Sequence, residues 1–155
     1  MRLADLVKPQ QVVANLKSKE KLEIIQELAD LLVDGDGHLS KDEVYRALVE
    51  RERLRSTGVG SGVAIPHAKV SGLEQLVLAV GLSPRGVEFD AADEKPVHIF
   101  MTLAAPVNST GEHLRALAKI ARLCGDVDFR ERLLSCSTNE EVYRTLIEAD
   151  EQHVH

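Results

Sequence analysis

The chain has 155 residues, 44% of them apolar, which is enough for one substantial core and gives no reason to expect a second domain. Aromatic residues make up only 3% and tryptophan is absent, so neither a stacking platform for sugars nor one for bases is available. With 19 basic against 25 acidic side chains the formal net charge is −6, a balance that repels phosphate backbones and argues against nucleic acid as a partner.

The N-terminal stretch from Met1 to Pro9 has no apolar signal core, and no apolar run approaches the roughly 18 residues of a membrane span. A soluble cytoplasmic protein without membrane insertion is expected. Cys124 and Cys136 are the only cysteines, and both lie in helix-like sequence. That usage fits buried thiols in a reducing compartment better than a disulfide framework.

Ser18 is placed to cap a helix running to about Asp34, because Ile24, Ile25, Leu28, Leu31 and Leu32 share one stripe. The acidic turn from Asp34 to Glu43 imitates the later part of a calcium loop. Counting back from Glu43 as the final ligand puts Leu32 where the first carboxylate is required, so a turn and an N-cap account for the segment. Ser40 with Glu43 forms a capping box for a second helix that carries Val44, Ala47 and Leu48 and ends near Arg51 or Arg53.

The stretch from Ser56 to Ala68, STGVGSGVAIPHA, follows directly and is the most informative in the chain. Its glycines Gly58, Gly60 and Gly62 allow a sharp turn and close backbone approach, Val63 to Ile65 suit a buried strand, and Pro66 ends that strand. His67 is thereby fixed where scaffold meets solvent. A neutral imidazole held beside free backbone N–H groups can accept an acyl or phosphoryl group; a structural histidine after a turn is an equally good reading of these residues.

Leu76 to Leu82 and Val97 to Ala104 read as strands buried on both faces, bounded by Ser83-Pro84-Arg85-Gly86 and by Pro106. From Glu112 the period turns helical, with Leu114, Leu117, Ala118, Ala121 and Cys124 on one face and Gly125 as the stop. Asp126 caps a short helix with Phe129, Leu133 and Leu134, and Thr138 with Glu141 caps the last one, which carries Val142, Leu146 and Ile147. The pattern predicts an α/β fold: one compact domain over residues 1–150, a central sheet flanked by helices on both faces, and a frayed tail over 151–155.

His113 lies in the first turn of its helix, beside the stripe begun by Leu114, where it either faces a cleft or sits in water. Arg51, at the end of the helix that delivers the glycine loop, can reach an anion or simply belong to the solvated run Glu50-Arg51-Glu52-Arg53. His98 reads as a core or edge residue, and His38, His153 and His155 as turn or tail. No CxxC, HExxH or GxSxG spacing occurs, so no metal and no serine or cysteine nucleophile is expected.

Taken together, Arg51-Glu52, the run from Ser56 to Ala68, Pro96-Val97-His98-Ile99-Phe100 and His113-Leu114-Arg115-Ala116-Leu117 resemble the EIIA phosphocarrier of the bacterial phosphotransferase system, in its fructose and mannitol class with the nitrogen-regulatory relatives. The resemblance runs from about Leu3 to Ile147. It implies a mixed sheet and a phosphotransferase component that needs no cofactor or metal. It implies that His67 is the phosphorylated residue, that His113 orients or stabilises the phosphoryl group, and that Arg51 supports it. Loop N–H groups around Thr57, Gly58, Gly60 and Gly62 would bind phosphate. The implied partners are an HPr-like donor and either an EIIB cysteine or regulatory targets. Leu3-Ala4-Asp5-Leu6-Val7 with Val12-Val13 resembles the nitrogen-regulatory form, and a free-standing chain leans the same way, whereas Gly86-Val87-Glu88-Phe89-Asp90 and Ala104-Ala105-Pro106 resemble fructose-type domains as much.

Overall fold

In the computed structural model, which describes residues 1–34 and 39–153, short 3-10 turns at Leu3–Asp5 and Pro9–Gln11 lead into strand β1 (Val12–Val13). Helices α1 (Lys21–Val33) and α2 (Lys41–Leu54) come next, then strands β2 (Gly58–Gly60), β3 (Val63–Ala64), β4 (His67–Val70), β5 (Val77–Val87) and β6 (Val97–Pro106). Helices α3 (Thr110–Cys124), α4 (Val127–Leu134) and α5 (Asn139–His153) complete the chain. Gly35 to His38, the middle of the segment compared with a calcium loop, and His155 lie outside the described residues.

β6 is the centre of the sheet because nearly all of its side chains are apolar and buried, as a strand covered on both faces requires. β5 runs antiparallel along one edge of β6, and β3 and then β4 pair in parallel along its other edge. β1 extends the sheet beyond β5, and β2 pairs antiparallel with β3, so the sheet is mixed. Side chains alternate between two cores. Leu78, Val80, Ile99, Met101 and Leu103 meet Ala116, Ile120, Leu123, Phe129, Leu133, Val142 and Leu146 on one face. Ala79, Phe100 and Ala104 meet Ile24, Leu28, Leu32, Val44 and Leu48 on the other. Helices therefore cover both faces of a mixed sheet.

Several boundaries differ from expectation. Ser18 does not cap α1: its N–H is taken by the Glu27 carboxylate at 2.7 Å, and the helix starts at Lys21 after a Glu20 with no side-chain cap bond. β5 continues through Ser83-Pro84-Arg85-Gly86 to Val87 by shifting register against β6 instead of stopping there. The strand before Pro66 stops at Ala64, as expected, but the sheet resumes at once: the Pro66 carbonyl accepts the Leu103 N–H at 2.9 Å and β4 begins at the next residue. α5 runs on through His153 into the segment expected to fray. Near its end the buried Asp150 accepts the Leu3 N–H at 2.7 Å and pairs with Lys119 at 2.7 Å, which anchors that helix to the start of the chain. Ser40, Asp126 and Thr138 cap their helices, with Thr138 and Glu141 bonding reciprocally; at Ser40 the bond formed is the one from the Glu43 N–H, at 3.3 Å.

Candidate active site

His67 opens β4, and the two-residue alternation of a strand sends Ala68 and Val70 into the core beneath α1 and α2. His67 and Lys69 take the opposite direction, toward the start of α3. There Lys69 donates to the Thr110 hydroxyl at 3.1 Å, and His113 meets His67 edge-on, with ring centroids 5.5 Å apart and planes at 76°. His113 is not beside the apolar stripe of α3 but on it. It is 7% exposed and shares that face with Ala116, Ile120 and Leu123, whereas Leu114 is 62% exposed. Arg51 lies in the last turn of α2, where its Nη1 donates to the Arg55 carbonyl at 2.9 Å. These side chains line one shallow depression of about 630 Å³, rimmed by Ala47, Leu54, Leu114 and Leu117.

His67 Nδ1 lies 2.7 Å from the Ile65 carbonyl oxygen. A carbonyl can only accept, so Nδ1 carries the proton and Nε2 keeps its lone pair. Burial holds the His67 imidazole below the ordinary histidine value, with the Arg51 charge acting in the same direction against the Ile65 bond and the Glu52 charge. Burial also lowers His113, helped by repulsion from His67 whenever that ring is protonated and by the Lys69 charge. Both rings are thus neutral at pH 7, and His113 Nε2 is buried without a hydrogen-bond partner among the described residues.

These shifts carry a stability signature. Unfolded histidines take up protons near 6.5, while the folded rings resist until lower pH. The unfolded state then binds more protons, so stability declines as pH falls from 6.5 toward the folded values and levels off below them. Urea denaturation across this range shows that decline, and a His67→Gln, His113→Gln double variant shows a shallower one. An equal slope in the variant contradicts it.

The glycine loop sits elsewhere. None of Thr57, Gly58, Gly60 and Gly62 lines the depression. The Thr57 N–H is bound by Glu52 at 2.9 Å and the Gly58 N–H by the Ser56 hydroxyl at 3.1 Å, so these two donors of the expected phosphate cradle are already engaged. The loop supports β3 instead. A Cβ on Gly58 would lie 2.8 Å from the Ala91 backbone, and Gly60 and Gly62 hold φ of +102° and +77°. Two further groups went unrecognised in the sequence. Lys69 follows His67 at strand spacing, and Glu52 continues the buried steps Val44 and Leu48 along α2 rather than joining a solvated charge run. Among the described residues no three His, Cys, Asp or Glu side chains gather as a metal site would require. Cys124 is buried with its thiol pushed up to about 12 by burial, as expected of an inert thiol, and Cys136 is half-buried. No helix among the described residues is long and apolar enough to cross a membrane.

A mixed sheet between two helical layers thus carries two neighbouring imidazoles at one rim. The family described as "Phosphoenolpyruvate-dependent sugar phosphotransferase system, EIIA 2" matches residues 5–149, and the chain belongs to it. A nitrogen regulatory protein of Bradyrhizobium diazoefficiens is 36% identical over 94% of this chain and 95% of its own length. The fructose-specific EIIABC component of Bacillus subtilis is 32% identical over 92% of this chain but only 22% of its own. The crystal structure of nitrogen regulatory protein IIA-Ntr from Neisseria meningitidis superposes with a TM-score of 0.85 at 36% identity, covering 93% of this chain and 98% of that one. The chain is accordingly a phosphoryl-transfer component of the phosphotransferase system.

Proposed function

We propose that His67 accepts the phosphoryl group on Nε2 from the phosphohistidine of an HPr-type carrier and that the phosphorylated state is read by regulatory partners. The hydrogen bond from His67 Nδ1 to the Ile65 carbonyl carries this reading, because it leaves Nε2 as the nucleophile facing the depression. The Nε2–P bond forms as the donor's N–P bond breaks. The donor ring leaves as neutral imidazole with its proton on its other nitrogen, and His67 keeps its own on Nδ1, so no proton crosses the interface. The Ile65 carbonyl meets the positive charge that develops on the His67 ring. Arg51, Lys69 and His113 line the same depression as His67 and offer donors to the phosphoryl oxygens, in a transition state that needs positioning and charge more than new covalent machinery.

The apolar rim of Leu54, Leu114 and Leu117 is suited to exclude water when a partner docks, which preserves the transfer potential of the N–P bond. Two nitrogen regulatory relatives, 36% and 33% identical over almost the whole chain, support the regulatory output, as do Leu3 to Val7 and Val12-Val13. Transfer to an EIIB cysteine for sugar uptake is the second reading, favoured by the fructose-specific relatives. Phosphorylation adds a largely dianionic group, so the two states select different partners by charge. Pull-downs with unmodified, phosphorylated and His67→Asp protein recover distinct sets, the Asp variant moving partway toward the phosphorylated one. Recovery of only the donor and one EIIB that takes the phosphate rapidly on cysteine contradicts the regulatory reading.

A further inference from the structure

Glu52 carries no part of the proposed transfer, yet it is bound more completely than its place at a helix end requires. Its side chain is 5% exposed. Burying a carboxylate is costly unless both oxygens are paired, and here they are: Oε1 accepts the Thr57 hydroxyl at 2.6 Å, and Oε2 accepts the Thr57 N–H at 2.9 Å and meets the Lys21 ammonium at 3.0 Å. Lys21 in turn lies 4.7 Å from the centroid of the Phe89 ring. The start of α1, the end of α2 and the start of the glycine loop are joined at this one carboxylate.

Thr57, 4% exposed, passes the constraint on. Its carbonyl accepts the Ile65 N–H at 3.0 Å, while the next carbonyl along, that of Pro66, accepts the Leu103 N–H at 2.9 Å. The Ile65 carbonyl is thus held from both sides, and it is the group that accepts His67 Nδ1–H at 2.7 Å. We propose that Glu52 is a positioning residue for the phosphoryl acceptor: through Thr57 and Ile65 it holds His67 as the Nδ1–H tautomer and keeps Nε2 free of a proton. An unconstrained histidine side chain carries its proton mostly on Nε2, so the nucleophilic form has to be imposed, and a hydrogen bond at the other nitrogen imposes it. The inference rests on the reading of His67 as acceptor and adds to it a residue outside the depression.

The test is 15N NMR of the unphosphorylated protein at about pH 8, above the histidine range, together with the rate of phosphorylation by an HPr-type donor. Glu52→Gln keeps size and one carbonyl acceptor. Thr57→Val keeps shape, backbone and the Glu52 charge while removing the hydroxyl, which separates geometry from electrostatics, and Thr57→Ser restores the hydroxyl. In Glu52→Gln and Thr57→Val the His67 Nε2 signal moves from the unprotonated toward the protonated type, and phosphorylation slows about tenfold or more. Thr57→Ser returns both readouts toward the parent protein. An unchanged tautomer in Glu52→Gln and Thr57→Val overturns the proposal whether or not the rate falls, since a rate loss alone is what a merely structural role gives. Should Glu52→Gln fail to fold, the contrast between Thr57→Val and Thr57→Ser decides. A parent protein that takes phosphate elsewhere than His67 defeats the transfer reading instead, and the tautomer measurement still decides the role of Glu52.

Discussion

Replacing His67 by alanine abolishes phosphate uptake from a phosphorylated HPr-type donor, whereas the parent chain gains one acid-labile, base-stable phosphate. The loss is complete because His113, the other imidazole lining the depression, is only 7% exposed and its Nε2 is buried, out of reach of a donor's phosphorus. The fold survives, since His67 contributes backbone pairing to Leu103 that alanine retains, and its ring stands at the rim rather than in either core. Far-UV circular dichroism and a urea midpoint close to that of the parent protein verify this. Phosphate that still appears on the alanine variant, located by mass spectrometry on His113 or on a serine, contradicts the assignment.

His113→Ala stays folded and slows transfer in both directions by on the order of 10²-fold or more, the loss typical of a removed donor at a developing charge. The basis is the edge-on contact of the two rings at 5.5 Å and the unpartnered Nε2 of His113, a donor or acceptor kept dry without a bond to satisfy it. A buried polar atom of this kind is costly unless something completes it, and a phosphoryl oxygen would do so. Rapid-quench measurements of uptake and release give the comparison. Parent-like rates in both directions remove His113 from the site.

The depression was legible in the sequence where local chemistry dictates structure. The glycines before Val63 announce a sharp turn, Pro66-His67 marks the chemistry, and the caps at Ser40, Asp126 and Thr138 fix helix starts through side chains close in sequence to the groups they bind. Tertiary choices were less legible. Leu114, Leu117 and Ala121 make a plausible buried face, but α3 turns His113, Ala116 and Ile120 inward instead, leaving Leu114 as part of an apolar rim. Glu52 resembles its charged neighbours Arg51 and Arg53 until Thr57 and Lys21 are seen to satisfy its oxygens. Lys69 was hidden because nothing in the local pattern marks a new strand just after Pro66, whose carbonyl is offered to Leu103. Burial of a charge and continuation of a strand past a proline both depend on partners far away in sequence, which a local pattern does not contain.

The most direct test of the central claim is a long-range 15N–31P correlation spectrum of the 15N-labelled protein after phosphorylation by an HPr-type donor. Phosphorus coupled to Nε2 of His67, with Nδ1 still bonded to the Ile65 carbonyl, is the predicted result. Coupling to Nδ1 of His67, or to either nitrogen of His113, contradicts it.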